Sequence, residues 1–183
     1  VSRVTSQRSS RLLIDAFDRV RDLVAENVAG LSIDQLAARL DDESNSITWL
    51  LWHLTRVQDD HVAELAGVEQ MWTDEGWFDR FGLPFGAADT GYGQTGREVG
   101  VVCVDSPDLL TGYHDAVHAM TTRYLRGLSD ADFDRIVDEA WDPPVTLATR
   151  LVSVVADDLQ HAGQASFLRG VLLRQAEATG ADD

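Results

Sequence analysis

A chain of 183 residues with 15 Lys+Arg, 31 Asp+Glu and a formal charge of -16 can bury a sizeable core without disulfide or metal staples, and its surface repels a phosphate backbone or an anionic leaflet. Nucleic acid and membrane are therefore excluded as partners. The lone Cys103 excludes an intramolecular disulfide framework and a Cys-rich zinc knuckle, and no stretch approaches the ~20 apolar residues of a membrane span. The polar start VSRVTSQRSS lacks the apolar core of a signal peptide, so a soluble, cytoplasmic protein with one domain over residues 1–183 is expected.

The first helix is predicted over residues 11–28, where Leu13, Phe17, Val20 and Val24 recur at three-to-four spacing among charges before Gly30. After LDDESN, with Ser44 or Asn45 as cap, a second helix carries Ile47, Leu50, Leu54, Val57 and Leu65 on one stripe and stops at Gly67. Residues 68–104 break the pattern with seven glycines, one proline and six aromatics, too long a connection for an ordinary bundle turn. Connections of this length are more often functional than decorative. The third helix opens at Ser106 as cap with Pro107 in its first position, and its stripe is Leu109, Tyr113, Val117, Met120 and Tyr124. SDADFDRIVD and the breaker WDPP then lead to a fourth helix from near Thr146 to about Ala176. Four long helical patterns with little β-type alternation predict an all-α, four-helix bundle, in which the connection between the second and third helices permits a crossover.

Polar residues interrupt the fourth stripe. At about 100° per residue, His161 falls among Val154, Leu168 and Leu172, Asp157 lies on the edge of that stripe, and Asp158 lies on the same side. A buried carboxylate needs a cation, a hydrogen-bonding partner or water. The i,i+4 pair Asp157 and His161 suits two bonds to one zinc ion, or a plain carboxylate–imidazole hydrogen bond, or a pairing of Asp157 with an Arg of another helix. His53, at the edge of the second stripe, is either a satisfied core histidine or a third ligand; three protein ligands and an open fourth position make a catalytic zinc site. His61 reads as a packed or supporting histidine, and His114 and His118 as a solvated edge. The steps Asp115/His118 and Asp158/His161 also suit the helical carboxylate–histidine element of di-iron bundles, but only Asp15, Asp18 or Glu64 could complete it. Trp49, Trp52, Trp72 and Trp77 are read as core, Cys103 as an inert loop or core thiol, and GYGQTG as no phosphate loop, since it neither follows a strand nor opens a helix.

The segments NSITWLLWHLTRVQDDHVAELAG and LVSVVADDLQHAGQASFLRG resemble the second-helix and fourth-helix signatures of the DinB/YfiT-like metalloenzyme superfamily. More narrowly, the chain resembles the actinobacterial branch that includes mycothiol-dependent maleylpyruvate isomerase and mycothiol S-transferases. The resemblance implies a four-helix bundle in up-down-down-up order, with one metal ligand from the second helix and two from the fourth. Carried onto this sequence, WHL gives His53 and DDLQHAGQ gives Asp157 and His161. Many relatives have His, and some Glu, where this chain has the shorter Asp157, which keeps Asp158 as a lesser candidate.

The resemblance further implies one divalent metal ion of the zinc type, mycothiol as thiol co-substrate, a small electrophile as second substrate, and a homodimer as a common form. No catalytic residue beyond the ligands follows from it. The expected function is a metal-dependent thiol S-transferase. The alternatives are a metal-dependent hydrolase, a thiol-dependent isomerase of the same fold, and a non-catalytic, stress-associated binding protein.

Overall fold

The computed structural model describes residues 7–180, and the side chains of residues 179 and 180 lie outside that description. The chain is mostly helical, with one small two-stranded sheet. Helix α1 (Arg8–Val28) buries Phe17, Val20, Val24 and Val28 at the expected spacing. A short helix absent from the sequence reading follows: Ser32 and Gln35 close a capping box around α2 (Ile33–Ala37).

Helix α3 (Ile47–Ala66) is capped by Ser46, which accepts from the backbone N–H of Trp49, and Gly67 ends it in the left-handed conformation. The cap is thus neither Ser44 nor Asn45. Ser44 is engaged in the preceding turn, where its hydroxyl accepts from the Asp41 N–H and donates to the Asp41 carbonyl.

The glycine-rich connection holds three short helices, α4 (Met71–Asp74), α5 (Trp77–Phe81) and α6 (Gly96–Val99). Two buried residues of α3 fasten it. Asp59 accepts from the backbone N–H groups of Met71 and Trp72 at 2.9 and 2.8 Å, and Arg56 donates to the carbonyls of Asp89 and Ala87 at 3.2 and 3.1 Å. Tyr113 donates its hydroxyl proton to Asp59 at 2.8 Å, which ties this fastening to the next long helix.

Helix α7 (Pro107–Arg126) begins as expected, with Ser106 accepting from the Asp108 N–H. Its buried face is wider than a single stripe, taking in Leu110, His114, Thr121 and Leu125 besides Tyr113, Val117 and Met120, because α7 packs against both α1 and α3. The breaker region forms a 3-10 turn (Asp130–Asp134) and a hairpin of β1 (Ile136–Asp138) against antiparallel β2 (Val145–Thr146), neither of which the sequence reading anticipated. Helix α8 (Leu147–Gly180) is the last element of the described residues.

Each long helix touches two others: α1 packs on α7 and α8, and α3 packs on the same two. Between α1 and α7 the contacts pair Asp18 with His118 and Arg21 with Asp115, and between α3 and α7 they pair Thr55 with His114 and Gln58 with Thr121. Between α3 and α8, His53 meets His161 and His61 meets Arg150; between α1 and α8, Asn27 meets Ala162, and just past the end of α1 Ala29 meets Arg169. Among the described residues no helix is long and apolar enough to cross a membrane.

Candidate metal centre

His53 lies two turns into α3, where the Ser46 cap fixes the helix start and Ile47, Leu50 and Leu54 hold the adjoining face in the core. Its ring is buried and stacks on Trp49, one turn earlier, at 4.6 Å between centroids. Nδ1 hydrogen-bonds the backbone carbonyl of Thr90. A carbonyl only accepts, so Nδ1 carries the proton and Nε2 keeps its lone pair. Burial pushes the His53 imidazole below its ordinary range, favouring the neutral form that can ligate a cation.

The Thr90 carbonyl reaches this position because residue 91 is glycine. Gly91 has φ of 94°, and a Cβ there would meet His53 Nδ1 and Trp52 Cζ3, both at 2.9 Å. Gln94, three residues on, accepts from the Trp49 indole N–H at 2.7 Å. The stretch GYGQTG, tested on its sequence only as a phosphate loop, is therefore the wall against which His53 and Trp49 are set. Its glycines were the available signal, and the partner they approach was not readable from them.

Asp157 and His161 come from one face of α8. His161 Nε2 lies 3.7 Å from Asp157 Oδ1, while His161 Nδ1 faces Gln164 Oε1 at 3.1 Å. The rings of His53 and His161 meet edge to face at 4.8 Å. Ligand atoms of His53, Asp157 and His161 all lie within 4.8 Å of one another, and Asp157 Oδ2 is buried without a hydrogen-bond partner.

This donor set fits a divalent cation. Two imidazoles and one carboxylate match a zinc-type site with an open position, and bonds of about 2.0–2.2 Å to one ion are within reach of small side-chain adjustments. Each histidine has its Nδ1 engaged by an oxygen acceptor, the arrangement that orients ligating imidazoles.

Asp158 has a different place. The buried stripe of α8 is Leu147, Leu151, Val154, Asp158, Ala162, Ala165 and Leu168, so Asp158 occupies its centre and is fully buried. Neither of its oxygens has a hydrogen-bond partner, and burial pushes its carboxyl well above the usual carboxylate range. His161 is accordingly not in the middle of the stripe, as expected, but on its half-buried edge, because α8 packs between α1 and α3 and the stripe is centred on that seam.

The other histidines divide. His114 is fully buried, not on a solvated edge, and faces Thr55 Oγ1 at 3.1 Å. His118 lies 2.7 Å from Asp18 and Asp115 pairs with Arg21 at 2.6 Å, so the helical carboxylate–histidine step on α7 is spent on contacts with α1. His61 lines a cavity of about 340 Å³ together with His53, Asp157, Thr90, Tyr92 and Ser153. The four tryptophans named from the sequence are buried, and Cys103 is exposed.

The mycothiol S-transferase family profile matches residues 12–173. The chain is also similar to a crystal structure described as the conserved protein of locus from Enterococcus faecalis, with 28% identity and a TM-score of 0.84 over 90% of this chain and 96% of that one. No curated protein matches it. The family match and the structural likeness agree with the DinB/YfiT-like resemblance of the sequence. The chain belongs to the mycothiol S-transferase family.

Proposed function

We propose that the protein is a metal-dependent thiol S-transferase, in which His53, Asp157 and His161 hold one zinc-type ion and mycothiol is conjugated to a small electrophile. The convergence of these three side chains, two of which, His53 and Asp157, border a cavity of about 340 Å³, carries the reading, and the family match supports it. A divalent cation held there would leave one position open and favour the thiolate over the thiol at neutral pH. His53 and Asp157 border the cavity, so the sulfur of the co-substrate arrives beside them. Thr90 and Gln164 keep the two imidazoles turned toward the same point. In the transfer a carbon–sulfur bond forms as the bond to the leaving group breaks, the leaving group takes the electron pair, and the thiol proton passes to solvent.

The same reading takes the chain as one helical domain over residues 1–183, with its four long helices forming a bundle in up-down-down-up order. Residue numbers rise together across the Thr55–His114 and Gln58–Thr121 pairs, as between parallel helices, and run opposite across His53–His161 and His61–Arg150. The long connection between α3 and α7 supports the return crossover this order needs.

Turnover of mycothiol with a fluorogenic alkyl halide tests the function. Activity that requires mycothiol, is abolished by chelation and is lost in His53→Ala, Asp157→Ala and His161→Ala supports the transferase. Thiol-independent turnover would select the hydrolase, and full metal content in all three variants would remove the ligand assignment.

A further inference from the structure

Two cavities adjoin beside the candidate metal centre. The first, about 340 Å³, is bordered by His53, His61, Asp60, Tyr92, Ser153 and Asp157; the second, about 290 Å³, by Asp138, Trp141, Thr149, Arg150 and Ser153. Ser153 borders both, and Arg150 links them, with one guanidinium nitrogen 3.3 Å from His61 Nδ1 and the other 2.7 Å from Asp138 Oδ2. The hairpin β1–β2 thus extends the site along α8, away from the ligands.

Two aromatic side chains stand in water along this groove, Tyr92 at 93% exposure and Trp141 at 66%, and neither has a part in the core. Between them the lining offers hydroxyl, carboxylate, imidazole and guanidinium groups. Arg150 is the cation among these lining residues, and its charge is already matched by Asp138, while Asp60 and Asp157 add further carboxylates. A carboxylate-bearing ligand is opposed there, in a chain whose formal charge is -16. An uncharged polyhydroxylated ligand is not: its ring C–H faces lie against exposed aromatic surfaces and its hydroxyls use the polar lining.

We propose that this groove binds the neutral sugar–cyclitol tail of the thiol, with Trp141 and Tyr92 as stacking surfaces and Ser153 and Arg150 at its waist. The proposal rests on mycothiol as co-substrate and adds the seat of its tail and the exclusion of anionic thiols.

The probe is N-acetylglucosaminyl-inositol, the tail without its cysteine and with its amine kept as an uncharged amide, titrated by saturation-transfer NMR into wild type, Trp141→Ala, Tyr92→Ala and the ligand variant His161→Ala, whose residue borders neither cavity. Trp141 and Tyr92 are exposed, so the fold is not at stake in their removal. Wild type and His161→Ala are expected to bind the probe alike, and Trp141→Ala to bind it about tenfold more weakly, in line with a stacking contact. KM for mycothiol is expected to rise in the same variant more than kcat falls, and glutathione at equal concentration is expected not to displace the probe. Probe binding that is untouched by both aromatic substitutions, or absent from a wild-type protein that turns over mycothiol, overturns the subsite and leaves the transferase standing. Displacement by glutathione overturns the exclusion of anionic tails. Trp141-dependent probe binding in a protein without mycothiol turnover upholds the subsite and removes the transferase.

Discussion

His53 Nδ1 is held by the backbone carbonyl of Thr90, so one candidate ligand on α3 is oriented by a loop 37 residues away in sequence. The bond fixes the tautomer, leaves Nε2 free on the side of His161 and Asp157, and makes the position of the glycine-rich connection part of the candidate metal site. Gly91 is where this dependence is most exposed. A side chain there must both enter a left-handed conformation and displace the rings of His53 and Trp52. Gly91→Ala is expected to weaken metal binding about 10- to 100-fold, the usual cost of disturbing a ligand's outer hydrogen bond, as measured by competition with a chelating dye. Unchanged affinity would show that the Thr90 contact does not set the ligand.

Arg56 and Asp59 hold the rest of that connection. Both are fully buried on α3, 3.7 Å apart, and Arg56 also donates to Gln70 Oε1 at 2.8 Å and lies over the Trp72 ring at 5.0 Å. Burial pushes the Asp59 carboxyl up from its ordinary value, while its bonds from Trp72, Tyr113 and Met71 and the Arg56 charge pull it back. Removing one partner leaves the other charge stranded in the interior. Arg56→Met is therefore expected to destabilise the protein by about 3–5 kcal/mol in urea unfolding, and to loosen the segment that delivers Thr90. A loss below about 1 kcal/mol would mean that the pair contributes no more than a surface bridge.

His114 gives a pH dependence of definite sign. The Thr55 hydroxyl donates its proton to the Leu51 carbonyl, so it accepts from His114 Nδ1, and His114 Nε2 is left buried without a partner. Burial lowers the imidazole to about 3, with His118 and Arg21 adding to the shift and Asp115 opposing it. Between about 6.5 and about 3 the unfolded chain binds a proton here that the folded chain does not. Its contribution is intact above pH 6.5 and is lost as pH falls, by up to about 1.4 kcal/mol per unit. Comparing wild type with His114→Leu by urea unfolding between pH 7 and 4 should show the steeper decline in wild type, by about one proton's worth. Parallel curves would contradict the assignment.

The elements that carry the site were legible where local chemistry decides them. Apolar spacing in α1, the Ser106–Pro107 start of α7 and Gly67 at the end of α3 each follow from a few neighbouring residues. Asp157 and His161 were legible as a pair because i,i+4 spacing survives any rotation of the helix. What a single-stripe reading could not supply was the number of faces a helix buries. Packed on two sides, α7 takes His114 into the core, and α8 places Asp158 at the centre of its stripe and moves His161 to the edge. The roles of Thr90 and Gly91 were illegible for a different reason: a backbone carbonyl has no sequence signature, and its partner lies on another element.

Asp157, beside His53 and His161, is the proposed ligand of the ion, while Asp158 faces the core. Metal content per chain, measured by elemental analysis after purification without chelator, tests it in Asp157→Asn and Asp158→Asn side by side, since both substitutions nearly preserve shape. Asp157→Asn is expected to lose most of its metal and Asp158→Asn to keep the wild-type complement. Full metal in Asp157→Asn, with metal lost from Asp158→Asn, would contradict it.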